Sequence, residues 1–249
     1  MFWTALGCIG LAGLVTVFVA STDGRYFGKK LAYVIYNQLG PIIMVSSRDR
    51  RKWNSLIEKL DIVGENMVLD VGTAMGGLPN AIASQPGFEG EAVGIDWSPK
   101  MIRVAMKRAT KSGLENRVAY QVVDVRHGLP FGDGQFDLVF CIGLIETLSE
   151  PDSVLGELKR VLRPDGTMVV SLYHGWSSWG YSLPYEWYLK NLAALGLDQV
   201  ERMTYRKRHD LIVARSRALP VIPAPLRTSP GSSPGYLPGD LRSLARSGP

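Results

Sequence analysis

Cysteine and histidine are scarce in this chain of 249 residues, which has two of the first, Cys8 and Cys141, and three of the second. The cysteines lie far apart in different contexts. That excludes a disulfide framework and favours a reducing compartment. No Cys/His cluster has metal-ligand spacing, so no metal is expected. There is no Ser/His/Asp arrangement of a nucleophilic hydrolase either. Charge is absent from residues 1–20, and basic charge is thin through the middle. Residues 61–200 carry eleven Lys/Arg against seventeen Asp/Glu, whereas residues 21–60 carry eight against three and residues 201–249 nine against three. A nucleic-acid enzyme would spread a basic stripe over its binding face, so no nucleic-acid partner is expected.

The uncharged start reads MFWTALGCIGLAGLVTVFVA, and the first charged side chain is Asp23. About 20 apolar residues at ~1.5 Å each can cross a hydrocarbon core. A cleaved signal is the plainer alternative. It wants basic residues ahead of the apolar run and a small-x-small cleavage site, and Phe18-Val19-Ala20 is a poor one. Residues 1–20 are therefore expected to be a retained transmembrane anchor. Arg25, Lys29 and Lys30 follow it, which places the body of a single-pass protein in the cytoplasm by the positive-inside rule.

Residues 21–60 read as N-terminal helices, one over 28–45 stopping near Gly40-Pro41 and one over 49–60. From Met67 the chain alternates. Strands are predicted at 67–71, 91–96, 118–123, 136–141 and 167–173, with helices at 76–85, 99–112 and 151–162. Then come a helix and two last strands within NLAALGLDQVERMTYRKRHDLIVARS. This alternation predicts a doubly wound α/β domain over 61–217, with a mostly parallel sheet and helices on both faces. Residues 218–249 are rich in Pro, Gly and Ser and read as a disordered tail.

The stretch MVLDVGTAMGGLPNAIA, residues 67–83, puts an apolar strand, an aspartate, a glycine loop and a helix in sequence. A dinucleotide site would ask for G-x-G-x-x-G and an acid about 20 residues on. Here alanine stands at the second glycine position. A plainer reading has the glycines only packing a helix onto a sheet. More of the chain fits another pattern. Asp70 ends strand one, Asp96 closes strand two in AVGIDWSPKMI, and Asp124 closes strand three in YQVVDVRHGLPF. FGDGQFDLVFCIG and RVLRPDGTMVVSLYH follow.

These motifs, in this order over residues 50–215, resemble class I S-adenosylmethionine-dependent methyltransferases. The run LPFGDGQFDLVF is most similar to quinone-biosynthesis C-methyltransferases and phospholipid N-methyltransferases. The resemblance implies a Rossmann-like, seven-stranded, mostly parallel sheet with S-adenosylmethionine as cofactor. Asp70 would meet the cofactor's ammonium, and the Gly72, Thr73 and Gly76 loop would let the backbone approach closely. Asp96 would take both ribose hydroxyls. Trp97 or Met101 would cover the adenine, while Asp124 and the Val125 amide would read its edge. Cys141 ends the strand that flanks the methyl group. The family loop usually reads D-x-G-x-G-x-G. Alanine at 74 is tolerated where φ is negative, but a positive φ there strains the loop.

Methyl transfer is an in-line displacement, so few catalytic side chains are required. Glu146 and His174 are candidates to orient or deprotonate an acceptor, and Tyr36 is a candidate from the N-terminal helices. Each has a plainer reading, as a helix-start carboxylate, a strand-end polar residue or a packed ring. His127 reads as surface, and Cys141 as a small core residue rather than a nucleophile. Tyr33, Tyr36 and Trp53 are placed to close the cofactor site. Trp176, Trp179, Tyr181, Tyr185, Trp187 and Tyr188 read as a substrate cap, an interfacial belt or core. The resulting expectation is a membrane-anchored methyltransferase of a lipid, quinone or other small hydrophobic acceptor. A soluble acceptor and a non-catalytic relative stay open, and the oligomeric state is not assigned.

Overall fold

The computed structural model describes residues 29–43, 50–60, 62–174, 182–206 and 209–216. Helices α1 (Lys29–Ile43) and α2 (Arg50–Leu60) precede the sheet. Then follow β1 (Met67–Val71), α3 (Gly77–Ala83), β2 (Glu91–Asp96), α4 (Pro99–Lys111), β3 (Val118–Val122) and β4 (Phe136–Cys141). Helix α5 (Pro151–Val161), β5 (Leu162–Tyr173), α6 (Tyr185–Ala194), β6 (Gln199–Arg206) and β7 (His209–Arg215) complete it. The seven strands lie in the order β3-β2-β1-β4-β5-β7-β6. All neighbours up to β5 are parallel, and β7 runs antiparallel to both β5 and β6. The expected seven-stranded, mostly parallel architecture is therefore present.

Alternation along the strands feeds two cores. Leu69, Val71, Val170 and Leu172 face α5 and α6, while Val68, Phe140 and Val169 face α2, α3 and α4. Burial on both faces is why these strands read as near-continuous apolar runs. The order reverses between β1 and β4, which opens a crevice at the carboxyl ends of the strands.

Several boundaries differ from the sequence reading. Helix α1 continues through Gly40-Pro41 to Ile43. Proline removes only a hydrogen bond of the last turn there. Gly40 is needed for contact instead, since a Cβ on it would lie 2.5 Å from Met101 Cε. Strand β5 begins at Leu162, five residues early, because Leu162 pairs with Phe136 across a register shift. Strand β3 stops at Val122, so Asp124 lies two residues beyond it. Trp53 does not close the crevice. It stacks on Tyr205 of β6, at the other edge of the sheet, with ring centroids 6.4 Å apart. No helix among the described residues is long and apolar enough to cross a membrane. The expected span, residues 1–20, lies outside them, as does the expected tail.

Candidate active site

The loop after β1 is tied to the end of β2. The Gly72 and Thr73 amides both donate to the Ile95 carbonyl at 2.9 Å, and the Gly76 amide donates to the Thr73 carbonyl at 3.0 Å. Gly76 starts α3 in a left-handed conformation at φ 69°. A Cβ there would also meet the Tyr120 hydroxyl at 2.3 Å, so only glycine fits. Leu144, from the loop after β4, lies 3.0 Å from where a Cβ on Gly72 would sit. The two loops that flank the crevice thus touch.

Ala74 has φ +50°, the one positive value outside glycine among the described residues. The condition for a strained loop is met. What holds alanine there is Asp96, whose Oδ2 accepts the Ala74 amide at 3.0 Å. A left-handed L-residue costs about 1–2 kcal/mol. Glycine relieves this, while freeing the unfolded chain costs back about 0.4–1 kcal/mol. Ala74→Gly is therefore expected to raise the melting temperature by about 1–4 °C, with the amide still on Asp96. Thermal unfolding monitored by circular dichroism checks this, and a lower melting temperature would refute the strain.

Asp96 is almost fully buried. Its Oδ1 accepts the Ser98 amide at 2.9 Å, and its Oδ2 also accepts the Tyr36 hydroxyl at 3.1 Å. Burial pushes its carboxyl up to about 6, and these three donors pull the other way. Tyr36 therefore sits at the Asp96 end of the crevice. Both it and Tyr33 lean on Trp97, with ring centroids 5.9 and 5.4 Å away. A face of Trp97 carries the Arg126 guanidinium at 4.7 Å. Asp124 is committed to the same arginine. It accepts from the Arg126 Nε at 2.8 Å and lies below the usual carboxylate range despite some burial. Val125, itself buried, begins the short turn beyond it. Met101 is fully buried with Ala74, Met75 and Tyr36, so it packs beneath α1 rather than in the open crevice.

Asp70, at the end of β1, is also buried. Burial pushes its carboxyl up to about 7, the Thr73 side chain opposes this, and the Asp96 charge adds to it. Toward β4 and β5 the polar groups form a second cluster. Glu146 is buried in the single 3-10 turn Ile145–Thr147 that precedes α5. Its Oε2 accepts from the Ser171 hydroxyl at 2.9 Å, and Ser171 Oγ accepts the Gly143 amide at 2.7 Å. Burial raises Glu146 to about 7, against its backbone and Ser171 hydrogen bonds. Cys141 lies fully in the core beside them, its thiol pushed up by burial. His174 does not reach this cluster. Its Nε2 lies 3.5 Å from Asp210 Oδ2, which also accepts Arg202 Nε at 2.7 Å. His209 stacks on Tyr173 at 4.3 Å. His127 is exposed, as read from its turn. Within the aromatic run, Tyr185, Trp187 and Tyr188 pack on the core, while Trp176, Trp179 and Tyr181 lie outside the described residues.

Three participants escaped sequence reasoning. Ser171 was signalled only by one hydroxyl inside the apolar VVSLY of β5. Arg126, Asp124's partner, gave an (i, i+2) charge pair in a turn. Asp210 gave no signal that separates it from a surface acid.

The two buried carboxylates test the implied cofactor. Asp70 and Asp96 stand at the ends of adjacent strands on either side of the Thr73-Ala74 loop. Both are raised by burial, Asp70 the more, as carboxylates short of positive charge are. A ligand carrying an ammonium at one end and a pair of hydroxyls about one strand away relieves this, so the donor set fits S-adenosylmethionine.

The family model described as a methyltransferase domain matches residues 63–205. The chain is 33% identical over 121 residues to the methyltransferase GfsG of Streptomyces halstedii, covering 49% of this chain and 42% of that one. It is 31% identical over 133 residues to a demethylmenaquinone methyltransferase of Lactobacillus johnsonii, covering 53% of each. The chain thus spans about half the length of the curated relatives it matches. The fold matches a SAM-dependent methyltransferase from Aquifex aeolicus with TM-score 0.59 at 23% identity, over 70% of this chain and 97% of that one. With strand-end acids, a glycine loop and a family match over more than half its length, the chain belongs to the methyltransferase domain family.

Proposed function

We propose that this protein is an S-adenosylmethionine-dependent methyltransferase, held at a membrane by residues 1–20 with its body in the cytoplasm. Its acceptor is a lipid, a quinone or another small hydrophobic molecule. The observation that carries the enzymatic reading is the pair of buried carboxylates, Asp70 and Asp96, on either side of the β1 loop. The uncharged residues 1–20 and the basic excess after them support the membrane half. The likeness to a demethylmenaquinone methyltransferase supports an apolar acceptor.

The bound cofactor supplies an electrophilic methyl group on a sulfonium. The chain's own residues orient and exclude water. Asp70 and Asp96 fix the two ends of the ligand, and the Leu144 side chain closes over Gly72. Glu146 is a positioning residue. Through Ser171 it holds the Gly143 amide, and with it the loop that faces the acceptor. Alignment and desolvation are what such a displacement needs.

The test uses the full chain in native membranes with methyl-labelled cofactor, followed by extraction into organic solvent. Label in the organic phase, absent with Asp96→Ala, supports the proposal. Label confined to the aqueous phase moves the acceptor to a soluble molecule. A second reading is a non-catalytic relative, favoured by the strained Ala74 and by the Tyr36 hydroxyl on Asp96. No label anywhere, together with no cofactor affinity in equilibrium dialysis, would establish that one.

A further inference from the structure

Helix α1 has two unlike faces. Tyr36, Asn37 and Gly40 look inward, and Tyr33 at their edge is 38% exposed. Asn37 Oδ1 accepts from the Ser98 hydroxyl at 2.7 Å, the two tyrosines lean on Trp97, and Gly40 lies against Met101. At the spacing that returns to the opposite side stand Leu31, Val34, Leu39 and Ile42, which are 46%, 55%, 41% and 73% exposed. Four large aliphatic side chains on one outer stripe of a three-to-four-turn helix form a patch, unlike scattered surface apolar residues.

What lies around the patch indicates its partner. Helix α4, packed against α1 through Lys100 Nζ on the Gln38 carbonyl at 2.7 Å, carries five basic residues and no acidic one in PKMIRVAMKRATK. Of these, Arg103, Lys107 and Lys111 are exposed, as is Lys30 at the start of α1. The described domain thus shows an apolar stripe beside a row of cations, although residues 61–200 are acidic as a whole. Eight residues separate the uncharged residues 1–20 from the start of α1. An apolar helical face rimmed by Lys and Arg is the pattern that lies in a bilayer interface. Cations near an anionic surface strengthen that binding.

We propose that α1 docks by its outer face on an anionic lipid bilayer, with α4 supplying the cationic rim, while its inner face closes the nucleoside end of the crevice. This rests on the membrane location proposed above, but not on turnover. One helix then links the bilayer to Asp96 through Tyr36.

The test uses the full chain in the Cys8→Ser background, reconstituted into vesicles of phosphatidylcholine with or without phosphatidylglycerol. Cys141 is buried and does not compete for label. An environment-sensitive fluorophore is placed at Ile42→Cys, or at the exposed Glu89→Cys near the opposite ends of the strands as control. Nitroxide lipids are expected to quench the probe at 42 about two-fold or more, and the probe at 89 hardly at all. Arg103→Glu with Lys107→Glu is expected to weaken the docking about five-fold per cation in the anionic vesicles. A probe at 42 that stays unquenched while the chain floats with the vesicles overturns the proposal. That result with the probe equally shielded in detergent assigns the face to a second copy or to the chain's own segments. Quenching indifferent to phosphatidylglycerol and to both charge reversals overturns the anionic partner. Docking without methyl transfer would sink only the enzymatic reading, and lipid methylation without docking would sink only this one.

Discussion

Asp96→Ala is expected to weaken S-adenosylmethionine binding by about 100-fold or more, as two charge-assisted hydrogen bonds of ~1.5–3 kcal/mol each are lost. The proposed ribose contacts are only part of the expected loss. Asp96 also holds the Ala74 amide at 3.0 Å, the Ser98 amide at 2.9 Å and the Tyr36 hydroxyl at 3.1 Å. Without the carboxylate, two buried amides lose their acceptor, at ~1–3 kcal/mol each. Ala74 then loses the contact that holds it at positive φ, and the β1 loop relaxes away from the ligand. Offsetting this, a buried carboxyl raised to about 6 no longer has to be ionised at neutral pH. The net loss of fold stability should therefore be smaller than the loss of affinity. Asp96→Asn keeps one acceptor oxygen and should fall between the two. Calorimetric titration of the three proteins at pH 8 decides the matter. Near-normal affinity in the alanine variant would remove Asp96 from the site.

The sequence made legible what depends on local pattern. β1, β2 and β4 end where the apolar runs end, because a strand buried on both faces cannot continue into polar residues. The acids Asp70 and Asp96 follow from that, since they sit where the runs stop. The residues that partner these acids were not legible. Tyr36 was expected to close the site from the N-terminal helices, but its bond to Asp96, 60 positions away, left no local mark. Ala74 stood out as a departure from the glycine loop, but the sign of its φ was not legible, because an acceptor 22 residues away sets it. Asp124 was read as a strand-end acceptor, but β3 stops early and its carboxylate turns to Arg126. Ser171 and Glu146 meet across two strands, 25 residues apart, which only the β4-β5 register brings about. Helix α1 runs past Pro41 because packing on Met101 outweighs a weak local stop signal.

Asp70→Asn should act in opposite directions on binding and on stability. The carboxyl of Asp70 is raised to about 7 in the folded chain, from an ordinary value of 3.8. A raised carboxyl means that the fold prefers the protonated form. Its ionisation therefore costs nothing below about pH 4, costs more as pH rises toward 7, and costs the full amount above that. The limiting cost is ~4 kcal/mol, and burial without a counter-charge is its main source. Asparagine keeps the volume and removes the charge. At pH 8 the variant should melt higher, by up to about 8–16 °C at that limiting cost. At pH 4.5 the two proteins should melt close together. Binding moves the other way, because an ammonium placed at Asp70 finds a carboxylate in the wild type and an amide in the variant. Wild-type affinity should also fall as pH drops from 8 through 6, where Asp70 and then Asp96 take up protons. The variant should keep only the part of that dependence due to Asp96. Scanning calorimetry and cofactor titration between pH 4.5 and 8 read both effects in one preparation. A variant that melts lower at pH 8 would mean that Asp70 holds the fold together rather than waiting for a cation. A higher melting temperature at pH 8 together with weaker cofactor binding is the pair of results expected of a carboxylate kept at the end of β1 for a cationic ligand.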